Sequence, residues 1–176
     1  RNGTAIHAIS VLAREACEDH QHWGADSGQP LKAKRGALVA RAATAGWKVA
    51  WRHWEPPLPH EKPNPHETDG RVIVGLSGLN ISLTDGNLDF TKMPSTDARL
   101  ACRYAVNELN GFADWLPELA KDHPDIVRTV LGECIRGEWR IPADREHVNE
   151  VLSSLRYHAK GMGYLVADDI LKELQA

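Results

Sequence analysis

Apolar residues recur along this chain at spacings of three and four, with polar residues between them. That period belongs to amphipathic helices rather than strands. The clearest stretch runs from Ser95 to Ile141 and predicts three helices. Ser95 caps the first, which carries Leu100, Ala101, Tyr104, Ala105, Glu108 and Leu109 before Asn110-Gly111 breaks it. An aromatic turn over 112–120 follows. Pro124 then suits the first helical position, where its missing N–H would have no partner. The helix it opens sets Ile126, Val127, Val130, Leu131, Cys134 and Ile135 on one face, which must be buried.

The flanking segments carry the same period. Residues 4–22 predict a helix burying Ile6, Ile9, Ala13, Ala16, Cys17 and His20. A second helix is expected from Leu31 to Trp54, small or apolar nearly all round and therefore enclosed by neighbours. Its far side holds Ala40, Trp47, Trp51 and Trp54. Residues 55–70 hold five prolines and predict a semi-rigid surface loop. Residues 71–90 are an ambiguous connector: Val72-Ile73-Val74 and the alternation at Ile81-Ser82-Leu83 suit a strand, whereas Ile73, Val74 and Leu79 with Gly75 and Gly78 suit a tightly packed helix. The helix is favoured because its surroundings are helical. Pro142-Ala143-Asp144 opens another helix with Val148, Val151, Leu152, Leu155, Tyr157 and His158 inward. A last helix over 164–174 buries Leu165, Val166, Ile170, Leu171 and Leu174.

The fold expected is all-α: a single helical domain over 1–176, with 95–176 as a helical repeat core and room for a minor β element near 71–90. Antiparallel helix pairs joined by Gly or Pro turns would stack as a HEAT- or armadillo-like solenoid or as an irregular bundle. The start at Arg1 and the apolar Leu174 near the other end suggest a piece of a larger protein.

Composition changes this picture little. Hydrophobic content of 42% and charged content of 26% are those of a folded globular chain. A net charge of −3 makes no global case for nucleic-acid binding. The charge is uneven, however: residues 1–60 hold eight Lys/Arg against five Asp/Glu, and residues 61–176 thirteen against nineteen. Three scattered cysteines (Cys17, Cys102, Cys134) suit buried thiols in a reducing compartment, hence a cytoplasmic protein. There is no apolar run long enough for a bilayer and no signal peptide, so no membrane partner is expected.

Candidate chemistry is sparse. Lys34, Arg41, Lys48 and Arg52 fall within about 40° of one another on the second helix, over about 27 Å of its length. No acidic residue occurs from Leu31 to Trp54. The stripe is either the wet edge of a buried helix or a groove for nucleic acid or another anion, with Trp51 and Trp54 available to stack on bases. Cys17, His20 and His22, together with His60 and His66 and the nearby Glu61, Glu67 and Asp69, are the one set that could hold a transition metal. A metal-dependent enzyme built on them is the alternative function. The competing reading has a buried thiol, a helix-end histidine and solvated loop histidines, with no metal and no cofactor. Gly75-Leu76-Ser77-Gly78 lacks the nucleophile elbow, Cys134 sits on an apolar face where a thiol is inert, and Asp122/Asp125 and Asp168-Asp169 suit helix amino-terminal halves. No catalytic residue is assigned.

Four stretches carry a resemblance. Arg-Tyr-Ala-Val-Asn-Glu-Leu-Asn-Gly-Phe-Ala-Asp-Trp-Leu at 103–116, Asp-His-Pro-Asp-Ile-Val at 122–127, Val-Ala-Trp-Arg-His-Trp-Glu-Pro-Pro-Leu-Pro-His at 49–60 and Gly-Leu-Ser-Gly-Leu at 75–79 are similar to the helical carboxy-terminal regions of large bacterial proteins. Several of these carry an upstream NACHT- or STAND-type nucleotide-hydrolysing domain. The resemblance implies a helical-repeat scaffold or sensor region, in some cases acting in defence against phage, whose partners are proteins or flanking domains. It implies no catalytic residue, and the phosphate-binding Gly-x-x-x-x-Gly-Lys-Ser/Thr signature does not occur in these 176 residues.

Overall fold

The computed structural model describes residues 2–17, 22–64, 67–141, 150–158 and 161–175, and among these the fold is all-α, with no strand. The backbone gathers into two compact units, one formed by Arg1–Pro56 with Thr68–Asp89, the other by Pro57–Glu67 with Phe90–Ala176.

The first unit contains α1 (Asn2–Ala16), α2 (Gln29–Arg35), α3 (Ala37–Ala50) and α4 (Gly70–Thr84), with a 3₁₀ turn over Trp51–His53 after α3. The ambiguous connector is α4, and it is the centre of the unit. Val72 to Leu79, Ile81 and Ser82 are all buried, because α1 and α3 both pack on this helix. A β element at 71–90 is thereby corrected: a helix apolar on every side shows no clean period, and its Val-Ile-Val run imitates a strand. Asp69 caps α4. Its carboxylate accepts the Arg71 backbone N–H at 2.8 Å and the Arg71 guanidinium at 2.6 Å. The guanidinium first, and the N–H after it, hold that carboxyl below the usual range against the opposing pull of burial.

Small residues set the helix crossings. A Cβ on Gly70 would lie 2.5 Å from the Ser10 Cβ, and a Cβ on Gly78 would lie 2.0 Å from the Trp47 carbonyl oxygen. The first contact puts Ser10, rather than the exposed Ile6 and Ile9, on the packed side of α1, while Ala13, Ala16 and Cys17 are buried as expected. The expected helix over 4–22 ends at Ala16, and His20 lies outside the described residues.

The helix expected from Leu31 to Trp54 is two helices. Gly36, at φ +88°, donates its N–H to the Lys32 carbonyl to close α2, and its own carbonyl then accepts the Ala40 N–H of α3. The tryptophan side is buried as expected at Ala40, Trp47 and Trp51. Enclosure all round is not found: Leu38 is 74% exposed and Val49 55%.

The second unit is organised on α7 (Pro124–Trp139), with Pro124 in its first position. Around it lie α5 (Ser95–Ala105), α6 (Leu116–Asp122), α8 (Glu150–Tyr157), α9 (Ala167–Gln175) and 3₁₀ turns over Pro59–Glu61, Phe90–Lys92 and Met162–Leu165. Val127, Val130, Leu131, Cys134 and Ile135 are fully buried, as the period predicts. Ser95 is the first helical residue of α5 rather than its cap. The helix stops at Ala105, short of Leu109, because the Asn107 amide donates to the Arg103 carbonyl at 2.9 Å and to the Pro57 carbonyl at 2.8 Å. Such a side chain competes with the helical ladder. Trp115 is buried, its ring 5.8 Å from that of Phe90. The helix expected from Pro142, with Val148, begins outside the described residues. Val151 is buried, but Tyr157 and His158 face outward. On α9 the packed side is Asp169 and Ile170, following the buried Val166, with Asp169 reaching Arg128 and Arg136 of α7 at 3.4 and 3.7 Å. Leu171 and Leu174, expected inside, are 54% and 64% exposed.

The proline-rich segment buries Leu58 and is pinned by Glu61, which accepts the Leu58 N–H at 2.7 Å and the Arg103 guanidinium at 2.9 Å. Burial pulls the Glu61 carboxyl up, but those two donors outweigh it and hold it below the usual carboxylate range. A depressed carboxyl stabilises the fold above its unfolded pKa and loses that contribution as pH falls through its folded value. Glu61→Gln is therefore expected to flatten the acid limb of a stability-versus-pH curve below about pH 4.5. Chemical denaturation at several pH values checks this, and an unchanged limb would mean the pairing contributes nothing.

Candidate recognition surface

Two features of the first unit offer themselves to a ligand. One is the outer face of α3. Leu38, Ala42, Ala45 and Val49, spaced four, three and four, form one line down the helix, and all four are exposed. At 100° per residue they fall within about 60° of one another. Trp47 and Ala40 anchor the opposite side in the core. The packing of α3 on α4 therefore fixes this line outward.

The other feature is a cleft of about 380 Å³ where the start of α2, the middle of α3 and the end of α4 meet, lined by Asp26, Gln29, Lys32, Arg41, Thr44 and Asp85 among others. Its carboxylates are engaged. Asn80 donates to Asp26 at 3.1 Å, and Lys48 pairs with Asp85.

The four basic residues read from the sequence are placed as follows. Lys34 lies on α2, across the Gly36 break from the others, and its ammonium donates to the Glu15 carbonyl at 2.7 Å. Arg41 lies on α3 at the cleft, flanking the apolar line by about 60°. Lys48 is on the same flank and faces Asp85. Arg52, in the turn after α3, stacks over the Trp51 ring at 4.1 Å. The helix break removes the single continuous stripe, and three of the four cations already contact groups of this unit.

The metal candidates are dispersed. Cys17 is buried, its thiol donating to the carbonyls of Ala13 and Trp23 at 3.4 and 3.2 Å. His22 is half-buried. The His60 ring, in the second unit, lies against Gly137, where a Cβ would approach it to 2.2 Å. His20 and His66 fall outside the described residues. Among the described residues no three His, Cys, Asp or Glu side chains gather where they could hold a metal ion.

Ser77 is a structural hydroxyl. It is fully buried, donates to the Ile73 carbonyl at 2.8 Å and accepts the Ala25 N–H at 2.9 Å, tying the segment before α2 to the core. Burial pushes the Cys102 thiol up to about 12 and raises that of Cys134 as well, so neither is a nucleophile near neutral pH. Among the described residues, no helix is long and apolar enough to cross a membrane.

The expectation that the helix over 31–54 is enclosed by neighbours covered Leu38, Val39, Ala42 and Val49 as well, and all four are exposed. The signal available was the absence of any acidic residue and the small side chains around them, which identify a helix able to approach another closely. Compared with known proteins, the chain matches no protein-family model, and no curated protein and no solved structure is significantly similar to it.

Proposed function

We propose that this chain is a non-catalytic helical recognition module, a scaffold or sensor region that binds a protein partner or a neighbouring domain through the outer face of α3. The observation that carries the reading is the exposed line Leu38, Ala42, Ala45 and Val49 on a helix whose opposite side is anchored by Trp47. Water-facing apolar residues in a row on one helix are the usual mark of a helix-in-groove or helix-on-helix contact. The resemblance of residues 49–60, 75–79, 103–116 and 122–127 to helical regions of NACHT- and STAND-type proteins supports the finer part of the proposal. In that part the helix pairs belong to a stacked array in a larger cytoplasmic bacterial protein, in the setting of defence.

A photo-reactive benzophenone residue at position 38, with a control at the exposed Asn87, tests the reading in the cell the protein comes from. A discrete covalent adduct is expected from position 38, absent at 87, and removed by Val49→Lys in the same chain. No adduct, or one indifferent to Val49→Lys, would remove α3 as the recognition face.

A further inference from the structure

The cleft of the first unit is walled by three helices, each through one face. Gln29 and Lys32, three residues apart, border it from α2. Ala37, Arg41 and Thr44, spaced four and three, border it from α3, and Ile81 and Asp85, four apart, from the end of α4. These spacings place side chains on one side of a helix. The volume they share, about 380 Å³, falls in the range of roughly 300–1,000 Å³ typical of small-molecule sites. The turn at Gly36 makes the convergence possible. Its φ of +88° ends α2 and starts α3 in a new direction, so that Lys32 and Arg41 border the same space. The segment before α2 lies close on α3 as well, since a Cβ on Gly28 would lie 2.8 Å from the Thr44 methyl.

The charges of this unit are unevenly committed. Lys34 and Arg35 are held by Glu15, Lys48 by Asp85 and Arg71 by Asp69, while Arg14 and Arg52 stack over Trp23 and Trp51. Among the described lysines and arginines of the unit, the two left without a partner are Lys32 and Arg41, the two that line the cleft. The side-chain amide of Gln29 is also without a partner among the described residues. Arginine brings a planar fork, lysine a point charge and glutamine a neutral donor. A carboxylate's two oxygens are used up by one guanidinium, whereas a phosphate has three terminal oxygens to share among all three donors. Asp26 borders the same cleft. Its Oδ1 accepts the Asn80 amide at 3.1 Å, and its Oδ2 has no donor among the described residues. Such an oxygen repels a bare anion and accepts a hydroxyl.

We infer that this cleft binds a small sugar phosphate. Lys32, Arg41 and the Gln29 amide hold the phosphate, and a sugar hydroxyl donates to Asp26. The inference goes beyond the reading of α3 as a recognition face and does not depend on it.

Proton–nitrogen correlation spectra of the 176-residue chain test it. The chain is titrated at constant ionic strength with ribose phosphorylated on its primary hydroxyl and, separately, with inorganic phosphate, ribose and ribonate. Ribose phosphate is expected to move the backbone amides of Gln29, Lys32, Arg41 and Thr44 and to saturate with a Kd of about 1 mM or below. Inorganic phosphate is expected to move the same amides about tenfold more weakly. Ribose is expected to leave them in place, and ribonate to bind more weakly than ribose phosphate. Lys32→Gln and Arg41→Gln each replace an exposed residue, and the spectra themselves verify that each variant is folded. Each is expected to weaken ribose phosphate binding by about tenfold or more. Lys121→Gln, on an exposed position of α6, is expected to change nothing.

Shifts that rise without saturating, or that spread over cations outside the cleft, would mean that phosphate only screens surface charge, and the inference is overturned. Saturable binding that Lys32→Gln and Arg41→Gln leave unchanged places the site elsewhere and overturns it too. Equal affinity for inorganic phosphate and ribose phosphate overturns the sugar phosphate assignment, as does tighter binding of ribonate. The adduct from position 38 decides the α3 face separately, so failure of one reading is distinguishable from failure of the other.

Discussion

Gly78→Ala is expected to lower stability by about 3 kcal/mol, although alanine is the better helix former by about 1 kcal/mol. The reason is local. A Cβ at position 78 would sit 2.0 Å from the carbonyl oxygen of Trp47 and 2.6 Å from its carbonyl carbon. Those are backbone atoms of α3, so a change of rotamer cannot relieve the overlap, and the two helices must separate along a crossing that buries Trp47, Ile73 and Ile81. Gly46→Ala is the matched control. It lies inside α3, and a Cβ there would meet nothing within 4 Å. That change is expected to raise stability by about 1 kcal/mol through propensity alone. Thermal unfolding followed at 222 nm should separate them, with the first falling by about 8 °C and the second rising by a few degrees. Two variants moving the same way would mean that α3 and α4 do not touch at Gly78.

The same pair of glycines shows what a sequence discloses. Gly78, with Gly75 three residues before it, suits a tightly packed helix, and Gly46 lies among equally small side chains; which of the two meets a backbone is decided only by the neighbour across the crossing. The α7 face was legible because it runs sixteen residues with an unbroken period and opens on a proline. α4 was legible only through its surroundings, since burial on every side erases the contrast that periodicity needs. On α1 the face was legible at Ala13, Ala16 and Cys17 and misread at its start, because hydrophobicity ranks Ile6 and Ile9 above Ser10. The crossing at Gly70 selects for size instead, and serine and alanine are small enough to approach it. The Gly36 break was hidden by strong helix formers on both sides.

The candidate surface was legible in its composition and illegible in its direction. Leu38, Val49, Leu171 and Leu174 are apolar, and a single sequence reports apolarity without saying what covers it. In this fold the tryptophans of the first unit fill the core side of α3, and Asp169 with Ile170 forms the packed side of α9. The leucines and valine on the opposite sides are left to solvent. Nor could the chain reveal that Lys48 is committed to Asp85 and Lys34 to a carbonyl of α1. A projection onto an ideal helix aligns charges that a glycine with positive φ and local acids then separate.

Leu131→Ala is expected to cost about 3–4 kcal/mol, against a total of about 5–15 kcal/mol for an ordinary domain. Leu131 is fully buried in the middle of α7, the helix on which α5, α6, α8 and α9 and the Pro59–Glu61 turn all pack. Deleting its branched end removes apolar surface from the core. It also leaves a cavity that rigid helices on several sides cannot collapse to fill. Ile126→Ala, in the first turn of the same helix and half-buried, is expected to cost less than about 1.5 kcal/mol, because its surroundings include solvent that can occupy the space. Urea unfolding monitored at 222 nm gives both values from midpoints at constant slope. Equal costs at the two positions would show that α7 is not the hub of its unit. A large cost at Leu131 with a smaller slope would instead mean that the unfolded or native state had changed in compactness, and the midpoint difference would no longer measure the cavity alone.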